Sequence, residues 1–332
     1  MERQVKNCII ITSIFEPTPA VRKFSELKDF HVVVVGDKKS PAQYDCNNVT
    51  FLPVSQNQGT ELERVLPYNH YCRKMLGYIY ALRNGAELLY DTDDDNTPKD
   101  NFYIPEFEGD FPSLKSENTF ANVYKCYSNQ KIWPRGYPLE LLTNDPNNYN
   151  LDTLDIKKQK IGVWQSIVDN EPDVDAIYRL TSNELCTFKS GEPVVLETGT
   201  VCPFNSQATA FRKELVPLMY LPSTVTFRFT DILRGLVAQP IMWKAGYHLG
   251  FTNACVIQER NVHNYLKDFE SEIPCYLFAK SVIEKSMGIV TEDKSVSENL
   301  FAVYCMLEKE GIVKPFELDV LKAWLKDISS IE

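Results

Sequence analysis

Leu88–Asn96 reads L-L-Y-D-T-D-D-D-N, an apolar run that closes in four carboxylates, Asp91, Asp93, Asp94 and Asp95. The pattern predicts a buried strand that delivers acids to its own carboxyl end, the edge where ligands bind in open α/β sheets. Like charges this close raise one another's pKa and cost stability unless a cation or hydrogen-bond donors offset them. A divalent metal is the simplest offset. Hard oxygen donors in a D-x-D spacing suit Mg²⁺ or Mn²⁺, ions that keep several waters and share their coordination with a substrate phosphate. The competing reading is a solvated acidic turn in which Asp95 or Asn96 caps a helix beginning at Thr97-Pro98. The apolar Leu88-Leu89-Tyr90 lead-in tips the balance toward a metal–diphosphate site.

The upstream chain supplies neighbours for such a strand. Cys8–Ile14 is a β-branched run ending in Thr12 and Ser13, followed by a helix through Ala20–Leu27. Phe30–Val35 predicts a second strand, and Gly36-Asp37 again sets an acid just past a strand end. Strand, helix, strand at this spacing makes a parallel unit whose crevice suits a nucleotide. No G-x-G-x-x-G follows the first strand, which argues against a dinucleotide and leaves a mononucleotide sugar. Val49–Val54 predicts a short third strand and Tyr68–Gly85 a helix with Arg73 and Lys74 in its first half. That helix feeds into the acidic strand, so both cations belong at the same sheet edge as a diphosphate.

Downstream, Lys99–Asn150 is rich in Pro, Asn and aromatics and holds Trp133-Pro134-Arg135-Gly136-Tyr137-Pro138, an irregular but ordered segment. Asp173–Leu180 resembles another strand, with Asp173 and Asp175 in the turn before it. Thr198–Ala210 is low in charge and dense in small polar groups, which suits the lining of a pocket for a hydroxyl-rich ligand, with Asn205, Ser206 and Gln207 foremost. Thr226–Trp243 places Asp231 and Arg234 at the head of an apolar helix, where Asp231 is either a helix-terminal charge or a catalytic base or acceptor-binding carboxylate. His263 sits in a polar, non-periodic stretch, and amphipathic helices over Leu277–Met287, Val296–Glu310 and Phe316–Ile328 close the chain. The organisation expected is one domain over 1–275, with a nucleotide-binding half (1–100) and an acceptor and sugar half (101–275), then a C-terminal helical extension over 276–332.

Composition bounds the rest. With 332 residues, 44% hydrophobic and 24% charged, the chain has the make-up of an ordinary globular protein. A net charge of −10 gives no global field for nucleic acid or an anionic membrane, so phosphate must be held by local cations or a metal. Nine scattered cysteines without a C-x-x-C pair read as reduced thiols. No signal peptide or transmembrane run is read, so a cytoplasmic location is expected, and the Golgi lumen only if an anchor precedes this sequence.

Laid in order, these motifs resemble the plant STELLO family and its bacterial, viral and animal relatives, glycosyltransferases of the type A fold. The matching stretches are A-V-R-K-F (20–24), V-V-V-V-G-D-K-K (32–39), Y-N-H-Y-C-R-K-M-L-G-Y-I-Y-A (68–81), Y-D-T-D-D-D-N (90–96) and W-P-R-G-Y-P-L-E (133–140). They continue with D-V-D-A-I-Y-R (173–179), P-F-N-S-Q (203–207), T-F-R-F-T-D-I-L-R-G (226–235) and R-N-V-H-N-Y-L-K-D-F (260–269). More faintly, the order is similar to that of the reversibly glycosylated polypeptides that act as UDP-arabinopyranose mutases.

The resemblance implies an α/β, Rossmann-like, mostly parallel central sheet flanked by helices, with C-terminal helices after it. It implies a metal-dependent glycosyltransferase with a UDP-sugar donor, a hydroxyl acceptor, and Mn²⁺ or Mg²⁺ as cofactor. Thr12, Ser13 and Asp37 would hold the nucleoside, with Asp37 accepting from the uracil imide, and Arg73 and Lys74 would contact ribose or diphosphate. Asp93, Asp95 and His263 would hold the metal, with Asp91 or Asp94 turned to the sugar hydroxyls. Asp231, with Arg234 near it, would face the acceptor, and Asp231 and Asp94 are the catalytic candidates. The alternatives are a UDP-sugar mutase and a non-catalytic nucleotide-sugar-binding scaffold.

Overall fold

A computed structural model describes residues 6–182, 184–259 and 264–331. The apolar run after Lys6 forms β1 (Asn7–Thr12), Thr18 caps α1 (Pro19–Ser25) by accepting from the Val21 N–H, and the valine run forms β2 (His31–Val35). β3 (Val49–Leu52), the short α2 (Glu61–Val65), α3 (Lys74–Arg83) and β4 (Leu88–Thr92) follow. β1 lies between β2 and β4, β3 flanks β2, and all four are parallel. Ile10, Val33 and Val35 face the core beneath α3, whereas Ile9, Ile11, Val32 and Val34 pack with Val21 and Phe24 of α1. Strands buried on both faces need continuous apolar sequence rather than alternation, and these have it. α3 lies so close to the sheet that a Cβ on Gly77 would stand 2.6 Å from Ile10 Cγ2. The helix expected from Tyr68 starts later, because His70 accepts from the Cys72 N–H and opens a single 3₁₀ turn before Lys74.

The acidic turn after β4 returns as a strand, β5 (Asn96–Pro98), and not as a helix capped by Asp95 or Asn96. β6 (Glu108–Leu114), α4 (Tyr124–Tyr127), the long β7 (Asp155–Asn170), α5 (Ala176–Thr181), β8 (Val194–Leu196) and β9 (Ala208–Arg212) come next. α6 (Thr230–Lys244) and β10 (His248–Gln258) precede three helices, α7 (Tyr265–Met287), α8 (Val296–Lys309) and α9 (Phe316–Ser329). The ten strands form one sheet in the order β3-β2-β1-β4-β9-β7-β6-β8-β10-β5, with β7 also pairing with β10. The mostly parallel sheet expected from sequence is therefore corrected to a mixed one. β9 runs antiparallel to β4, with Thr92 opposite Ala208 and Asp91 opposite Thr209. Because β9 runs down from the edge that β4 runs up to, residues 205–207 stand beside residues 93–95.

Two element readings change for physical reasons. Asp173–Leu180 is not a strand: Asp175 accepts from the Tyr178 N–H and caps α5. α7 begins at Tyr265, capped by Asn264, and runs unbroken through Pro274, so the boundary drawn at 275/276 falls inside a helix. The last helices are pinned to the rest of the chain by buried carboxylates. Asp327 accepts from the Glu61 and Leu62 N–H groups at the start of α2 (3.1 and 2.7 Å). Glu317 accepts from the Ser223 and Thr224 N–H groups (2.9 and 2.7 Å) and from the Tyr220 hydroxyl. Trp324 donates to the Pro217 carbonyl (3.1 Å) and packs edge-on against Tyr78. Among the described residues no helix is long and apolar enough to cross a membrane.

Glu317→Ala is expected to lower unfolding stability by about 3 kcal/mol, because it leaves buried N–H donors without an acceptor. Urea denaturation measures this, and an unchanged midpoint would refute the pinning role.

Candidate functional site

β4 carries Asp91 into the interior, where the carboxylate has no solvent exposure. Lys74 Nζ, equally buried, donates to Asp91 Oδ1 (2.8 Å), the Thr92 carbonyl (2.8 Å) and Asp93 Oδ1 (3.1 Å). Arg234 of α6 completes the group from the other side, with Nη1 on Asp91 Oδ2 (2.7 Å) and Nη2 on the Asn205 carbonyl (2.6 Å). Burial would push the Asp91 carboxyl up, but Lys74 and Arg234 outweigh it and hold it below its usual range. Burial would likewise pull the Lys74 ammonium down, and Asp91 and Asp93 reverse that. An ammonium has three donors, and all three of Lys74 are taken. Lys74, Asp91 and Arg234 are therefore corrected from ligand contacts to an internal ionic brace beneath the acidic turn.

Above that brace an open cleft runs along the carboxyl edge in two joined chambers that share Thr12, Tyr71, Asp94 and Phe227. The first, about 270 Å³, is lined by the ends of β1 and β2 and the approach to α3, including Thr12, Ser13, Gly36, Asp37, His70 and Arg73. Asp37 Oδ1 accepts from the Lys38 N–H (2.7 Å) and Oδ2 from the His70 N–H (3.3 Å). Burial lowers the His70 imidazole pKa, and the ring stacks on Tyr71. Arg73 lies under the Tyr68 ring, its Nε 3.9 Å from Asp37 Oδ2. Its Nε and Nη1 are buried without a hydrogen-bond partner among the described residues. Phe15 and Phe227 line the same chamber and are about half exposed.

The second chamber, about 260 Å³, holds Asp93, Asp94 and Asp95 on one side and Asn205, Ser206, Gln207 and Asp231 on the other. Ser13 donates to Asp94 Oδ2 (2.5 Å) and Thr18 to the Asp94 carbonyl (2.6 Å), so the β1–α1 loop fixes the turn. Gln207 donates to Gln258 Oε1, and Gln258 donates to Asp95 Oδ2 (3.0 Å), a relay that positions Asp95. Asn205 Nδ2 donates to Asp173 Oδ2 (2.9 Å) and its Oδ1 accepts from the Gln207 N–H (2.9 Å). Arg135, from the W-P-R-G-Y-P segment, meets Asp173 through Nε and Nη2 (2.9 and 2.7 Å) and Asp231 through Nη1 and Nη2 (3.1 and 3.0 Å). Asp231 also accepts from the Ile232 and Ser206 N–H groups (3.0 and 3.3 Å).

Single-residue reading missed Arg135, Asp173 and Gln258 as parts of the chamber. The proline-rich context marked Arg135 only as ordered, and Asp173 read as a turn. Nothing local flags Gln258, which reaches Asp95 because β10 pairs with β5 through Gln258 and Asn96. His263 lies outside the described residues.

The donor set can be tested against a divalent ion. Limited hydration in the cleft, with Asp95 and Asp91 nearby, pushes Asp93 up to about 6 despite Lys74. Burial also raises Asp94, although Ser13 opposes it. Asp93 and Asp95 offer oxygen donors of the kind that Mg²⁺ and Mn²⁺ take. Among the described residues no three His, Cys, Asp or Glu side chains already converge on a metal position. That is compatible with an ion held by two carboxylates, waters and substrate phosphate.

These features define an α/β protein with an acid-walled ligand cleft at the strand ends of a mixed sheet. The family model described as STELLO glycosyltransferases matches residues 228–332, the stretch that contains Asp231, Arg234 and the closing helices. The chain is 24% identical to "Probable glycosyltransferase STELLO1" of Arabidopsis thaliana, over 99% of this chain and 45% of that protein. It is 24% identical to "Probable glycosyltransferase STELLO2" of the same plant, over 96% and 44%. The chain is similar to these STELLO proteins, and it spans a little under half the length of the curated relatives it matches.

Lys74→Met is expected to cost about 3–5 kcal/mol in urea denaturation, because Asp91 and Asp93 lose a buried counter-ion. Arg73→Met gives up a longer ion pair with Asp37 (3.9 Å) and its contact with the Tyr68 ring, and should cost about 1–2 kcal/mol. Equal losses in the two variants would contradict the division into brace and ligand contact.

Proposed function

We propose that this chain is the donor-binding and catalytic region of a metal-dependent glycosyltransferase that uses a UDP-sugar, with its sheet arranged as in the type A glycosyltransferase fold. The observation that carries the reading is a single cleft with the Arg73 guanidinium, two of its nitrogens without a hydrogen-bond partner among the described residues, in one chamber and the Asp93–Asp95 carboxylates in the next. A nucleoside diphosphate bonded to a neutral ring has that sequence of needs: a base and ribose, then negative oxygens, then hydroxyls. The names of the family model and of both relatives support the same class.

In this reading Thr12, Ser13 and Asp37 hold the nucleoside, with the Asp37 carboxylate accepting from the uracil imide. Arg73 donates to the diphosphate, a charge-assisted contact that strengthens as the leaving group gains charge. Asp93 and Asp95 hold Mn²⁺ or Mg²⁺, with His263 as a further ligand. A bound divalent ion supplies neutralisation of the departing diphosphate. Lys74 acts through Asp91 and Asp93, holding the turn in place. Asp94, at the junction of the chambers, faces the bond that breaks. Asp231 is held by four donors, an arrangement that suits a carboxylate fixing charge and geometry better than one abstracting the acceptor's proton. This favours transfer with retention of configuration.

The test is UDP binding with and without Mn²⁺, followed by a nucleotide-sugar panel. UDP should bind in a Mn²⁺-dependent way, and Asp93→Ala or Asp95→Ala should weaken it at least about tenfold. UDP release supports the transferase. Pyranose–furanose interconversion without UDP release would make the protein a mutase, and binding without turnover a scaffold. Tight Mn²⁺-dependent binding that survives both substitutions would remove the metal assignment.

A further inference from the structure

We propose that His70 reads the nucleobase in the first chamber, its Nε2–H donating to a carbonyl oxygen that flanks the base N–H taken by Asp37. This rests on the nucleotide reading above and adds the class of base, one with a ring N–H beside a carbonyl.

The tautomer follows from the backbone. His70 Nδ1 accepts from the Cys72 N–H (3.1 Å), and an amide N–H is always the donor, so Nδ1 carries no proton. Burial outweighs the pull of Asp37 and lowers the imidazole pKa, which keeps the ring neutral at neutral pH with its one proton on Nε2. His70 lines the chamber, and its Nε2 has no hydrogen-bond partner among the described residues.

Neighbouring rings hold that donor in one orientation. The imidazole stacks on Tyr71 (centroids 5.5 Å apart, interplanar angle 7°) and makes a T-shaped contact with Phe227 (5.8 Å). Phe227 makes a second T-shaped contact with Tyr71 (4.7 Å). The turn that carries Phe227 is fastened to α7, where Thr226 Oγ1 donates to the Ser271 carbonyl (2.6 Å) and the Ser271 hydroxyl accepts from the Arg228 N–H (3.2 Å). A donor fixed before the ligand arrives loses little freedom on binding.

Asp37 supplies the independent second observation. Asn69 stands in the left-handed region at φ +55°, and the backbone N–H of the next residue, His70, donates to Asp37 Oδ2 (3.3 Å). Each Asp37 oxygen accepts one backbone N–H, from Lys38 or from His70, and keeps a further lone pair. The chamber therefore sets an acceptor beside a donor. Uracil presents the complement, an imide N–H with a carbonyl on either side. Cytosine and adenine present a ring lone pair at that place, which the Asp37 carboxylate repels.

The experiment is titration calorimetry in Mn²⁺ with UDP, CDP, 2-thio-UDP and 4-thio-UDP, on the unaltered chain, His70→Asn and His70→Gln. Asn keeps a side-chain oxygen for the Cys72 N–H but sets no N–H where Nε2 stands, whereas Gln can place an N–H there and gives up the Nδ1 acceptor. The unaltered chain should bind UDP at least about tenfold more tightly than CDP, and one thio analogue about fivefold less tightly than UDP, since sulfur accepts weakly. His70→Asn should weaken UDP about tenfold without lowering the melting temperature, and should bind that thio analogue as tightly as UDP. His70→Gln should retain more UDP affinity than His70→Asn. The opposite ranking, which a purely structural cap would give, overturns the inference. So does CDP binding as tight as that of UDP. An equal loss for UDP and both thio analogues in His70→Asn also overturns it, because the donor would then serve the ribose or the diphosphate. If UDP fails to bind the unaltered chain in Mn²⁺, the functional reading falls and this inference with it. If UDP binds and His70→Asn leaves its affinity unchanged, only this inference falls.

Discussion

An ammonium group sealed from water holds this cleft together. Lys74 Nζ touches Asp91, Asp93 and the Thr92 carbonyl, and Arg234 reaches Asp91 from the opposite side. A buried charge without partners is among the most costly features a fold can carry, so each member of this group requires the others. The brace ties four pieces of chain together: α3, the end of β4, the head of α6 and, through the Asn205 carbonyl, the loop before β9. The cleft edge is thereby fixed before any ligand arrives.

That fixity explains how so many acids share one wall. Asp91 is neutralised from within, Asp94 is held by the β1–α1 loop, Asp95 is oriented by Gln258, and Asp173 and Asp231 share the Arg135 fork. Asp93 bonds Lys74 on its inner side, and burial with Asp95 and Asp91 nearby raises its pKa. Preorganised charge of this kind strengthens ion and phosphate binding because little reorganisation accompanies it. The closing helices belong to the same construction. Glu317 and Asp327 carry them back onto the loop at 220–224 and α2, and α7 and α8 pack against α6.

Legibility in the sequence followed the range of the interactions. β1, β2, β3 and β4 were readable because strands buried on both faces need unbroken apolar runs, and the acids past Tyr90 needed no partner to be noticed. Asp173–Leu180 was misread because V-D-A-I-Y-R-L carries apolar residues in either period, and only the Asp175 cap decides for helix. α7 was read too short because Pro274 signals a stop, whereas a proline inside a long helix forgoes one backbone bond and packing on α5 and α6 retains the rest. The parallel sheet was over-extended since nothing local to residues 208–212 states which way they run.

Sequence alone determined the chemistry available: a carboxylate cluster behind an apolar strand, adjacent cations at 73 and 74, a polar stretch at 205–207, and a helix headed by Asp231 and Arg234. Only the tertiary structure decided their division of labour. Arg73 and Lys74 are neighbours in the chain, yet one side chain lines the cleft beside Asp37 and the other is locked beneath it. The reason is geometric. Which oxygen meets which nitrogen depends on β9 running antiparallel to β4 and on α6 crossing behind both, contacts between residues more than a hundred positions apart that no local pattern encodes.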